Sequence, residues 1–150
     1  MATEVESPSR VEFELGVHHW ASGIVAGVLA SAVFGAMIGA EMMEMIAVMV
    51  GQEGAAVGWV VHLIIGSIFA VEYVAIVSLD QLAESASRPV PGGGIGAIYG
   101  VAVWLVDAVV LMALLMEGAF MLNLDWSSFV GHVVWGVTLG ALYPVFVARE

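Results

Sequence analysis

Four long apolar runs, broken by short polar stretches, set the pattern of this chain: about residues 20–50, 55–79, 95–122 and 128–148. A helix needs about 20 apolar residues to cross the hydrocarbon core of a bilayer, and every run meets that length. In lipid a spanning segment must satisfy its own backbone hydrogen bonds, which makes each run a helix. Apolar and polar residues do not alternate with period two, which argues against a barrel. The pattern predicts an all-α, polytopic membrane protein: one four-transmembrane-helix bundle over residues 1–150. The connectors "GQEGAA" and "NLDWSS" are short, as in tight helical hairpins. The middle one, "DQLAESASRPVPGGG" over 80–94, carries two prolines and three glycines and reads as a hinge outside the core, between two hairpins.

Polar residues inside the runs form a second pattern. His62, Gly66 and Tyr73 are spaced as are His132, Gly136 and Tyr143, seventy residues on. Eleven residues is about 20° past three turns of α-helix, so each set lies near one stripe. Tyrosine occurs three times in the chain, and two of the three belong to these stripes. The first and third runs echo each other as well: "GIVAG" at Gly23–Gly27 with "GAIYG" at Gly96–Gly100, and "MME" ending at Glu44 with "LME" ending at Glu117. The expectation is two tandem helical hairpins related by a pseudo-two-fold axis along the membrane normal, an arrangement known among transporters and among simple duplications. Gly23, Gly27, Ser31, Gly35 and Gly39 recur every four residues. Small residues at that spacing allow close backbone packing between membrane helices.

Composition strengthens the membrane reading. Apolar residues make up 61% of the chain, against about 45–50% in soluble domains, and mean hydropathy is +1.02. Charge adds orientation. There are 14 acidic residues, no lysine, and only Arg10, Arg88 and Arg149 as cations. All three arginines fall on one side of an even-span protein. The positive-inside rule therefore places both termini in the cytoplasm, with 1–17 as a cytoplasmic N-terminal segment of a cell-membrane protein. The acidic N-terminus lacks the basic start of a cleaved signal peptide. With no basic patch, nucleic acid is not an expected partner. An acidic, lysine-free chain fits a halophilic source, where salt screens self-repulsion. Without cysteine, disulfides, thiolate metal sites and cysteine nucleophiles are excluded.

Ionisable groups at membrane depth are costly and are functional candidates by default. Here they are Glu41, Glu44, His62, Glu72, Asp107, Glu117 and His132. Counting from the helix ends places His62, His132, Glu44 and Glu117 in one layer about 8–10 Å below the outer surface. Asp107 is expected near mid-membrane, and Glu72 deeper toward the cytoplasm with the two stripe tyrosines. Two glutamates and two histidines would suit a divalent metal such as zinc, iron or manganese, or a proton-exchanging pair. Glu44 lies about 140° around the first helix from Gly39, which makes Glu41 its substitute in that site. Asp107, Glu72 and Glu41 are the remaining candidates for a proton path or polar core. His18 and His19 sit beside Trp20 at the inner interface, and the nine methionines are packing residues.

With "GWVVHLIIGSIFAVEY" and "GHVVWGVTLGALYPV" in view, the chain resembles the small, largely uncharacterised four-helix integral membrane proteins of haloarchaea, whose hairpins carry similar His-x3-Gly stripes. The resemblance covers most of the chain from Trp20 onward. It implies the four-helix fold and a halophilic archaeal source, and it carries over no activity and no catalytic residue. Three functions fit the sequence. One is an outer-leaflet Glu/His site that binds or transports a cation or proton. A second is a b-type haem electron-transfer protein with His62 and His132 as axial ligands, the glycines leaving room for the macrocycle. The third is a non-catalytic accessory subunit, with the lipid bilayer and a homo-oligomer or larger membrane complex as its partners. An enzyme is least supported: there is no nucleophile elbow, no His-Glu-x-x-His and no nucleotide loop.

Overall fold

A computed structural model describes residues 16–111 and 126–149. It contains helix α1, Val17–Met49; α2, Ala55–Val77; a short α3, Asp80–Ala86; α4, Pro89–Trp104, continuing into a π-helical segment, Leu105–Leu111; and α5, Trp126–Val147. Four of these are long and apolar enough to cross a membrane, and no strand occurs among the described residues. The protein is an all-α, multi-pass membrane bundle.

The helices associate as two antiparallel pairs. In α1–α2, Gly23 lies against Val74, Gly27 against Ala70 and Gly66, and Gly58 against the backbone of Met43. In α4–α5, Gly92 faces Gly140, Gly96 faces Gly136, and Gly100 faces the backbone of His132. The pairs meet chiefly where α1 crosses α5. Lipid is as apolar as leucine, so burial of apolar surface gives no drive for helices to associate, and backbone-to-backbone contact through small residues supplies the attraction. Valines, isoleucines and leucines such as Val60, Ile64, Ile68 and Ile98 point outward, as lipid solvation requires. The chain turns between α1 and α2 at one end of the bundle, here the Gly51 end. The opposite end carries Gly16, α3, Arg88 and Arg149.

Three features differ from the sequence expectation. α4 begins at Pro89, not near residue 95, and Gly92 and Gly93 are buried in the bundle instead of lying in an external connector. The first turn of a helix leaves its N–H groups unpaired in any case, so Pro89 and Pro91 cost no hydrogen bond there, and the fixed proline φ suits the helix start. The early start carries Asp107 toward the Gly51 end, away from mid-membrane. The connector itself folds as α3, with Asp80 in its first turn, where the helix dipole favours an anion.

The third difference is in α1, which is broken at Gly39. There φ is 81° and ψ 178°, a conformation essentially confined to glycine. Gly39 therefore ends the small-residue stripe as a joint, and nothing packs against the place a Cβ would occupy. Gly23, Gly27, Ser31 and Gly35 remain buried contact residues.

Candidate functional site

Both His-x3-Gly-x6-Tyr stripes face the interior. His62 donates Nε2–H to the backbone carbonyl of Ser31 at 3.0 Å. The Ser31 hydroxyl is fully buried and receives the indole N–H of Trp135 at 3.0 Å. α1, α2 and α5 are thus pinned at one level by two hydrogen bonds converging on one serine. A Cβ at Gly66 would overlap the Ser31 side chain, so glycine is needed for this approach.

His132 is buried and is held differently. Its Nδ1 lies 2.8 Å from the carbonyl oxygen of Ser128 and 3.5 Å from the Ser128 hydroxyl. Its Nε2 lies 3.4 Å from Oδ2 of Asp107, whose side chain is 36% exposed. Asp107 sits on the π-helical segment, a form that recurs at functional sites. Trp104, one turn before it, packs on Phe129, and its buried indole nitrogen has no partner among the described residues.

Phe34 packs against both histidines. Its ring meets His132 edge-on at 4.7 Å between centroids and His62 at 5.5 Å. Gly131 leaves the space the ring fills. This arrangement does not fit one haem ligated by both residues: the phenyl ring lies against both imidazoles, and His62 Nε2 and both nitrogens of His132 already face protein oxygens.

The other candidates are placed as follows. Glu44 and Glu41 are exposed, because Met43 takes the inward position beside Gly58 and is fully buried. Residues one or two positions from an inward-facing one turn about 100–200° away. Glu44 therefore does not join the histidines, and neither does its substitute. Glu117 lies outside the described residues. Among the described residues, no group of three His, Asp or Glu side chains gathers to hold a metal. Asp107, expected deeper, is instead the partner of His132. Glu72 is exposed on α2 and meets the Tyr99 hydroxyl of α4 at 2.9 Å.

Toward the Arg88 end the interior is aromatic. Tyr73 packs on Tyr99 at 5.4 Å and on Tyr143 at 6.1 Å. Tyr99 lies 6.0 Å from Trp135, and the Tyr73 hydroxyl reaches the Gly92 carbonyl at 3.3 Å. Ser31, Phe34, Tyr99 and Trp135 are the interior residues that sequence reasoning missed. Their signals were present: Ser31 is the polar member of the glycine stripe, Phe34 lies one turn beyond it, Trp135 one turn beyond His132, and Tyr99 is the third tyrosine. Compared with known proteins, the chain matches no family model, no curated sequence and no solved structure.

Proposed function

We propose that this protein is a membrane-embedded proton-binding module, with the Asp107–His132 pair as its site. The observation that carries the reading is the direction of the two His132 contacts. A carbonyl oxygen can only accept, so the short contact to Ser128 puts a hydrogen on Nδ1. Nε2 then faces a carboxylate oxygen, and a lone pair facing a lone pair would repel. One shared proton between Nε2 and Oδ2 removes that conflict. The pair is then imidazolium with carboxylate, or imidazole with carboxylic acid, and either form is neutral overall. Neutrality is what membrane depth favours, since an isolated central charge costs roughly 2.5–3.5 kcal/mol on insertion scales. Asp107 is the more exposed member of the pair.

The rest of the proposal concerns setting. The three arginines support a cell-membrane protein with both termini in the cytoplasm, so that the pair lies nearer the outer face. Contact register supports tandem hairpins: Gly27 rests on Gly66 and Ala70 as Gly96 rests on Gly136 and Gly140. In that register Gly27 matches Gly96, one turn from the match of "GIVAG" with "GAIYG". The acidic, lysine-free composition supports a halophilic source.

The test uses full-length protein in liposomes with 15N-labelled histidine. His132 is expected to show a protonated Nδ1 and an Nε2 signal displaced by the proton it shares with Asp107. Asp107→Asn should move that Nε2 signal and leave the His62 signals in place. An Nε2 signal that ignores Asp107→Asn would overturn the proposal.

A further inference from the structure

The Tyr99 hydroxyl stands between two oxygens on α2: the carbonyl of Phe69 at 2.8 Å and Oε2 of Glu72 at 2.9 Å. Both distances are those of good hydrogen bonds. A tyrosine hydroxyl has one hydrogen. The Phe69 carbonyl has none to offer, so its contact uses the Tyr99 hydrogen. The contact to Glu72 then needs a hydrogen from the carboxyl group. If Glu72 were ionised, one tyrosine proton would have to serve two acceptors.

The surroundings point the same way. Tyr99 is 9% exposed, whereas Glu72 is on the exposed side of α2. Glu72 lies five residues before the end of α2, about 7.5 Å along the axis at 1.5 Å per residue. Helical side chains lean toward the N-terminus, which takes the carboxyl deeper still. Its flanks on the outward face are Ile68 and Ala75, both exposed. Tyr99 of α4 is the titratable group that meets it. Tyr73 bonds elsewhere and Tyr143 packs behind Tyr73. α1 and α5 present no charged partner to Glu72 among the described residues, and no ion pair forms there. A lipid-facing carboxylate without a cation is disfavoured, and neutralisation by a proton is the ordinary remedy.

We infer that Glu72 is a second proton-binding site: a lipid-facing carboxylic acid that donates to Tyr99, which donates in turn to the Phe69 carbonyl. The chain of two hydrogen bonds satisfies every polar atom in the contact without a charge. The inference rests on the chain's spanning a membrane and not on the Asp107–His132 pair. Such a site is accessible to apolar carboxyl reagents that dissolve in lipid.

Dicyclohexylcarbodiimide is the probe. It reacts with the acid form: the carboxyl oxygen bonds the central carbon, the acid proton passes to a nitrogen, and nothing leaves. Full-length wild-type protein in phosphatidylcholine vesicles is treated near neutral pH, and the adduct is mapped by tandem mass spectrometry. The expected result is modification of Glu72 in several-fold excess over Glu41 and Glu44. Infrared difference spectra of wild type against Glu72→Gln should lose a protonated-carboxyl carbonyl band, and Tyr99→Phe should shift that band. Modification at Glu41 or Glu44 equal to that at Glu72, or loss of a carboxylate band in place of an acid band, would overturn the inference. The mapping needs only wild-type protein, so it stands even if a variant does not fold.

Discussion

Replacing Gly96 by alanine tests the view that backbone contact holds the second hairpin together. A Cβ there would overlap the Gly136 carbonyl oxygen and lie 2.8 Å from its carbon and 3.1 Å from the Cα of Gly140. Carbon atoms in contact prefer about 3.5–4.0 Å. α4 and α5 must therefore part by roughly 0.7 Å or more, and neither obstacle is a flexible side chain that could turn aside. Overpacking of this kind typically costs about 1–3 kcal/mol. Gly94 is the control. It is exposed and nothing lies within 4 Å of its added Cβ, so alanine there should be neutral or stabilise by up to about 1 kcal/mol through helix propensity. Gly96→Ala and Gly136→Ala demand the same separation, so their double variant should lose less than the sum of the two. Reversible unfolding in mixed micelles, followed by helical circular dichroism, measures all four. Equal stability of Gly96→Ala and Gly94→Ala would refute the reasoning. Because Gly100 abuts the His132 backbone, the Gly96 variant should also disturb the His132 signals.

Other expectations follow from single residues. Gly39→Ala places a side chain at φ 81° and should destabilise by about 1–3 kcal/mol, although it meets no neighbour; a loss below a few tenths would show that the joint relaxes. Ser31→Ala leaves the Trp135 indole N–H unpaired and should cost about 1–3 kcal/mol, whereas Trp135→Phe leaves Ser31 free to bond its own helix and should lose less from the hydrogen bond itself; paired unfolding curves and tryptophan fluorescence of Ser31→Ala check this. Phe34→Ala should cost about 3–5 kcal/mol as a large-to-small core change, and the His62 and His132 signals should both move.

Spans and stripes were legible because both depend on composition and on 100° per residue, which are local properties. The α4 start was misplaced because prolines and glycines read as a loop, although prolines in a first turn are compatible with a helix and Gly92 and Gly96 are contact residues. That shift of about two turns displaced Asp107 from its real layer, so its pairing with His132 could not be seen. Glu44 was grouped with the histidines by depth along the helix, whereas rotation about α1 decides the facing and turns Met43 inward in its place. The contact of Phe34 with both imidazoles depends on how α1 packs on α2 and α5, a tertiary relation with no local signal. Glu117 remains outside the described residues, and its place in the layer is untested.

Phe34 has a mechanical consequence. A phenyl ring shares neither imidazole's hydrogen bonds, yet it touches both: His62 bonds α1, and His132 bonds α5 and lies beside Asp107 of the π-helical segment. The ring and the Ser31 carbonyl that His62 bonds both belong to α1. A displacement of α1, whether from bilayer tension or a neighbouring protein, would therefore reach both imidazoles at once, His62 through a hydrogen bond and a ring contact, His132 through the ring.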